Sequence, residues 1–148
     1  MILFDTNVLV YALNADSPHH SESRTVVEAA LTGRLPGVLV PQVLLEAYAV
    51  LTDRRRVERP LAPEEAHDAL EPLRVGLRVL PADAHALEAL RELIAFRRPV
   101  AQEVFDVFLA AQMRAHGIAT LCTYDVDGFH GYPGVAAATP AQILRHFP

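Results

Sequence analysis

Short apolar runs alternate along this chain with longer stretches in which apolar residues return every three or four positions. Met1 to Phe4 is apolar and ends at Asp5, which predicts a buried strand feeding straight into a helix from about Asn7 to Leu13. Ser17 followed by Pro18 reads as a helix start, and that second helix runs to Gly33, a plausible stop. Gly37 to Val40 is a second short strand. Pro41 then opens a helix in which Val43, Leu44, Ala47, Val50 and Leu51 keep helical spacing, closed by Arg54-Arg55-Arg56 and Pro60. Pro63-Glu64-Glu65 opens the next helix, and Gly76 to Leu80 reads as a third strand. Ala82 to Phe96 is helical with Leu87, Leu90 and Ile94 on one stripe, and Arg97-Arg98-Pro99 breaks it. Val104, Val107, Phe108 and Ala111 mark another helix, ended by Gly117 as a left-handed cap. Ile118 to Thr123 follows as a fourth strand, and Val135 to Ala138 adds a fifth. Strands alternating with amphipathic helices predict an α/β fold: a parallel sheet covered on both faces, with ligands outside the carboxyl ends of the strands.

The 148 residues fit one domain, 1–148, with no internal repeat, linker or low-complexity segment. The single Cys122 cannot form an internal disulfide, no paired Cys/His spacing suggests zinc, and no basic leader precedes the first strand. A reducing cytoplasm is the expected compartment. A membrane span is not expected, because the longest apolar candidate, Pro41 to Leu51, is broken by Gln42 and Glu46 and falls short of the roughly 20 residues needed.

The charge of −5 argues at first against a nucleic-acid partner, since phosphate backbones are held by Arg and Lys. That objection lapses if several carboxylates share a site and hold divalent cations, which then supply the positive charge. All thirteen cationic side chains are Arg, so phosphate-loop Lys and Schiff-base chemistry are excluded.

The carboxylates worth weighing are Asp5, at the carboxyl end of the first strand; Glu46 and Asp106, early in their helices; and Asp125, just past the fourth strand. Such positions converge on one rim of a parallel sheet. A phosphodiester hydrolase needs a hard cation to polarise the phosphoryl oxygen and acidify a water, and Mg²⁺ or Mn²⁺ prefers carboxylate and water oxygens. Without a cation, clustered carboxylates repel one another and raise their own pKa values. Each residue has a plainer reading. Asp5 could cap the first helix, Asp106 could favour a helix N-terminus, and Asp125 and Asp127 could be turn residues. Glu46 is harder to dismiss, because it interrupts an apolar stretch where an unpaired charge would be costly.

Taken in order, Leu3-Phe4-Asp5-Thr6-Asn7-Val8-Leu9, Leu45-Glu46-Ala47, Phe105-Asp106-Val107-Phe108-Leu109-Ala110-Ala111 and Thr123-Tyr124-Asp125-Val126-Asp127 resemble the motifs of PIN domains, with the closest likeness to the VapC toxin group. The resemblance spans essentially the whole chain, including Pro41-Gln42-Val43 and Tyr132-Pro133-Gly134. It implies a three-layer α/β/α fold around a central parallel sheet. It also implies an Mg²⁺- or Mn²⁺-dependent endoribonuclease with Asp5, Glu46 and Asp106 as core ligands, Asp125 as the fourth and Asp127 as the less certain fifth. A toxin paired with a small antitoxin protein, and a homodimer, follow from the same likeness. The family often places an aromatic residue directly after the second Asp of the last motif; here Gly128 intervenes before Phe129, which leaves open whether Asp125 or Asp127 faces the metal.

Thr6, Asn7 and Thr123 stand beside the carboxylates and could orient them or a water, or simply cap helix and strand. Arg54, Arg55, Arg56, Arg97 and Arg98 could hold RNA phosphates, or form solvated helix ends. His19 and His20 lack a metal-binding repeat and read as structural or surface residues, and Cys122 reads as buried and inert. Two competing functions are an aspartate-nucleophile phosphatase, disfavoured by Asn7 and the missing Lys, and a non-catalytic RNA-binding or protein-interaction module on the same scaffold.

Overall fold

The computed structural model describes residues 1–147. Its elements run β1 (Ile2–Phe4), α1 (Thr6–Leu13), α2 (His20–Leu31), β2 (Gly37–Leu39), α3 (Pro41–Leu51), α4 (Pro63–Gly76), β3 (Arg78–Val79), α5 (Ala84–Arg97), α6 (Glu103–Ala115), β4 (Thr120–Cys122), β5 (Ala136–Ala138) and α7 (Pro140–His146). The five strands form one all-parallel sheet in the order β3-β2-β1-β4-β5, flanked by the helices in a three-layer α/β/α arrangement. Successive strand residues point to opposite faces, and Leu3 and Phe4 are both fully buried, so both faces of β1 are covered. No helix among the described residues is long and apolar enough to cross a membrane.

The strand order positions the site. From β1 the chain builds outward through β2 and β3 on one side, then crosses to β4 on the other, with Phe4 in register with Cys122. The reversal opens a crevice at the carboxyl ends of β1 and β4, the usual ligand position in open parallel sheets. Asp5 and Thr123 emerge there side by side, and the Asp5 N–H donates to the Cys122 carbonyl at 3.0 Å.

Several elements differ from the sequence expectation. Helix α2 begins at His20, because Ser17 spends its hydroxyl on the His19 N–H (3.1 Å) and its carbonyl on His20 (3.1 Å), making a turn before the helix. Gly76 is the last residue of α4, not the start of a strand: Leu77 still donates to the Leu73 carbonyl, leaving only Arg78 and Val79 for the ladder. The stripe Leu87, Leu90, Ile94 on α5 is not the buried face. Leu87 is 60% and Ile94 40% exposed, whereas Ala86, Ala89 and Leu93 are buried. The small Ala residues let α5 lie close to its neighbours. Helix α7 lies beyond the predicted elements, and Thr139-Pro140 followed by Gln142 forms its capping box: Gln142 N donates to Thr139 Oγ1, and Thr139 N to Gln142 Oε1. Gly33 and Gly117 do stop their helices with positive φ, +74° and +64°.

Candidate functional site

Asp5 is set by its place between β1 and α1. As the N-cap of α1 it takes the Thr6 N–H on Oδ1 at 2.6 Å, while Oδ2 accepts from Asn7 Nδ2 (2.8 Å) and Thr123 Oγ1 (2.6 Å). The plain capping role is thus present, and it does not preclude a site role. A carboxylate offers about four lone-pair positions, and these three donors leave acceptor capacity for a cation. Burial raises the Asp5 pKa, outweighing the Thr123 and Thr6 hydrogen bonds that lower it; the charges of Glu46 and Asp125 raise it further.

Thr123 and Asn7 knit the two strand ends together. Thr123 is fully buried, and besides donating to Asp5 its hydroxyl accepts from Asn7 Nδ2 (3.1 Å) and from the Asp125 N–H (3.0 Å). Asn7 Oδ1 in turn accepts from the Tyr124 N–H at 3.2 Å. Thr6 sends its hydroxyl across to Glu46 Oε2 at 3.4 Å, linking α1 to α3. Each of the three side chains thus hydrogen-bonds a candidate carboxylate.

Glu46 is half-buried, with Leu45 beside it 71% exposed. Its surroundings are therefore not the apolar interior that the sequence suggested; α3 lines an open wall. Glu46 Oε1 accepts from Gln42 Nε2 at 2.6 Å. Asp106 lies in the first turn of α6, at the exposed rim. Its carboxyl is nevertheless pushed up to about 6, first by lost hydration and then by the charges of Asp5, Asp125, Glu46 and Glu103. A helix N-terminus alone would lower it, so lost hydration, with the crowding of like charge added to it, prevails over the dipole.

The last segment separates its two aspartates. Asp125 lines the same cavity of ≈ 760 Å³ as Asp5, Glu46 and Asp106, and Asp127 is not part of that lining. Asp127 instead begins a turn in which its carbonyl accepts from the His130 N–H (3.1 Å). Gly128 N donates to Asp125 Oδ1 at 3.0 Å, and Phe129 is buried beneath.

The arginines also divide. Among the described residues Arg56 is the one cation lining the cavity, whose lining also includes Asp53 and Val57. Arg55 pairs with Asp53 through two bonds of 3.1 Å, and Arg54 lies outside the lining. Arg97 stacks its guanidinium over the Tyr132 ring at 4.3 Å and reaches the His130 carbonyl (3.3 Å), so it clips the loop after Asp125 to α5. Arg98 is the left-handed cap of α5, with φ 52°. The cavity also contains Glu103, Gln102 and Asp53, none of which was singled out from the sequence. Gln42 was foreseeable as a partner: it and Glu46 are the two polar breaks in one apolar helix, four residues apart and hence on one face. Cys122, buried under Asp5, is pushed up to about 12 by burial and then by the Asp5 charge, so it stays a thiol. His19 packs against Tyr11 and Tyr124, away from the carboxylates.

Among the described residues, no three His, Cys, Asp or Glu side chains are gathered into a ready-made metal cage. The donor set still fits a hard cation. Mg²⁺ keeps several of its waters and is held through one or two carboxylates rather than an all-protein cage, and Asp5, Glu46, Asp106 and Asp125 share one wall-to-wall cavity whose mutual repulsion a cation would relieve.

Comparison with known proteins gives a match to the PIN domain over residues 2–134. Ribonuclease VapC24 of Mycobacterium tuberculosis is 34% identical over 131 residues, covering 87% of this chain and 89% of that protein. The crystal structure of M. tuberculosis VapC20, described as a sarcin-ricin loop cleaving toxin, superposes with a TM-score of 0.65 at 22% identity over 86% of this chain and 92% of that one. A toxin-antitoxin complex from Klebsiella pneumoniae gives 0.62 at 19% identity, over 95% and 98%.

Proposed function

The chain belongs to the PIN-domain family, and from that premise we propose that it is an Mg²⁺- or Mn²⁺-dependent endoribonuclease, the toxin of a type II toxin–antitoxin pair. The observation that carries this reading is the meeting of Asp5, Glu46, Asp106 and Asp125, from four separate segments, on one cavity at the sheet's switch point. These four would hold the cation, which when bound polarises a phosphoryl oxygen and lowers the pKa of a water.

The remaining chemistry belongs to the chain. Asp5 is held rigid by three donors, so a ligand meets a preorganised carboxylate. Asp5 and Asp106, whose carboxyls are both raised, Asp106 to about 6, are the groups at which a proton competes with the cation. Arg56, the one positive side chain on the cavity among the described residues, would meet an RNA phosphate. The similarity to VapC24, a ribonuclease, and to VapC20, a sarcin-ricin loop cleaving toxin, supports the substrate class, and the toxin-antitoxin complex supports an antitoxin partner. A homodimer and a cytoplasmic setting complete the proposal. A non-catalytic binding module would be favoured had one of the four acids been missing from the cavity; all four line it.

Purified protein should cut structured RNA with Mg²⁺ or Mn²⁺ and stop in EDTA, and Asp5→Asn or Asp106→Asn should abolish cutting while circular dichroism stays unchanged. Full activity in either variant would end the proposed chemistry. Expression without its partner should slow growth.

A further inference from the structure

Beneath the cavity wall, two glutamines form a directed relay into Glu46. Gln42 lies one turn before Glu46 on α3, and its amide spends both hydrogens: Nε2 donates to Glu46 Oε1 at 2.6 Å and to the Phe105 carbonyl at 2.8 Å. Phe105 is the residue before Asp106, so one amide group touches a carboxylate of α3 and the backbone that carries a carboxylate of α6. Gln42 Oε1 accepts from Nε2 of Gln112 at 2.8 Å, across 70 positions of sequence. Gln112 is fully buried on α6, and its Nε2 also faces the Phe108 carbonyl at 3.5 Å.

The polarity of this relay has one solution. Turning the Gln42 amide over would place its oxygen against the Glu46 carboxylate and the Phe105 carbonyl, and turning Gln112 would oppose two more oxygens. The arrangement comes at a cost to the fold, because Gln112 Oε1 is buried with no hydrogen-bond partner. Its neighbours on α6, Leu109, Ala110, Ala111 and Met113, are all buried and apolar. An apolar side chain at 112 would suit that core better, yet could not hold Gln42.

We propose that Gln42, locked from behind by Gln112, is a positioning residue that holds the Glu46 carboxylate at a set distance from Asp106 and so sets cation affinity. The proposal rests on the reading of Glu46 as a cation ligand, and it goes further in assigning the spacing of α3 and α6 to two amides.

The test is isothermal titration of the RNA-free protein with Mn²⁺, alongside thermal melting without metal. Gln42→Leu and Gln112→Met should each weaken Mn²⁺ binding about tenfold, within the range typical of partners that orient metal ligands. They should lower kcat for RNA with KM unchanged. In a Glu46→Gln background, Gln42→Leu should have no further effect on Mn²⁺. Gln112→Met should melt at the same temperature as the parent or higher, so that stability and affinity move in opposite directions. If Gln42→Leu and Gln112→Met bind Mn²⁺ like the parent while Glu46→Gln is weakened, the relay is overturned and the ribonuclease reading stands. A Gln112→Met protein that melts lower and loses Mn²⁺ only in proportion would reduce Gln112 to packing and overturn its role. A parent protein that binds no Mn²⁺ overturns both readings.

Discussion

Gly128 donates its backbone N–H to Asp125 Oδ1 at 3.0 Å, and the Asp125 carboxylate fills the space that a Cβ at position 128 would need. The glycine that interrupts the expected Asp-aromatic pattern is thus a consequence of how this chain seats its fourth carboxylate. Gly128→Ala should push Asp125 out of place while the fold survives. Activity should drop about tenfold or more, since misplacing a catalytic group by about 1 Å is costly. Ribonuclease rates with circular dichroism as the control would check this, and parental activity would show that Asp125 needs no such seat.

Asp106 predicts a pH dependence. Its carboxyl rises from 3.8 to about 6 on folding, so the folded chain binds this proton more tightly than the unfolded chain does. Below about 4 both states are protonated and no penalty exists. The penalty to the metal-free fold grows between about 4 and 6 and is complete above 6. Asp106→Asn should therefore raise the melting temperature of the metal-free protein at pH 7 to 8, with the gain fading toward pH 4. Metal binding should weaken as pH falls through about 6. A gain in melting temperature independent of pH would contradict this account.

Thr123 uses every hydrogen-bonding capacity of one hydroxyl: it donates to Asp5 and accepts from Asn7 and the Asp125 N–H. Thr123→Val keeps the shape and removes all three bonds at a fully buried position. The expected loss is about 2 kcal/mol by denaturant unfolding, as for bonds to charged groups. Because the Thr123 bond lowers the Asp5 pKa, its removal should raise that pKa further and move the acid limb of activity to higher pH. Thr123→Ser should restore most of both.

Arg56 and Arg54 make a matched pair, two residues apart but only one of them in the cavity. Arg56→Gln should raise KM for RNA, leave kcat nearly unchanged and reduce the slope of log affinity against log salt by about 1, the signature of one phosphate contact. Arg54→Gln should do less. Equal effects would assign both to the general field of the surface.

Hydrophobic patterning and the resemblance together specified a parallel α/β fold and put Asp5, Glu46, Asp106 and Asp125 on one rim, because strand ends and helix starts are local features written in runs, caps and breakers. Long-range packing settled the rest. On α5, Leu87-Leu90-Ile94 and Ala86-Ala89-Leu93 both satisfy helical spacing, and periodicity cannot choose between two stripes when the neighbour makes the choice. Asp125 and Asp127 are equally suited to a turn, and the Gly128 hydrogen bond together with the burial of Phe129 turns only the first toward the cavity. Arg97 binds Tyr132 and Gln112 binds Gln42, contacts that join residues far apart in the chain and leave no trace in the spacing of either partner. Local geometry is encoded by neighbours in sequence, whereas the direction in which a side chain spends its charge or its hydrogen bonds is set by whichever element the fold lays against it.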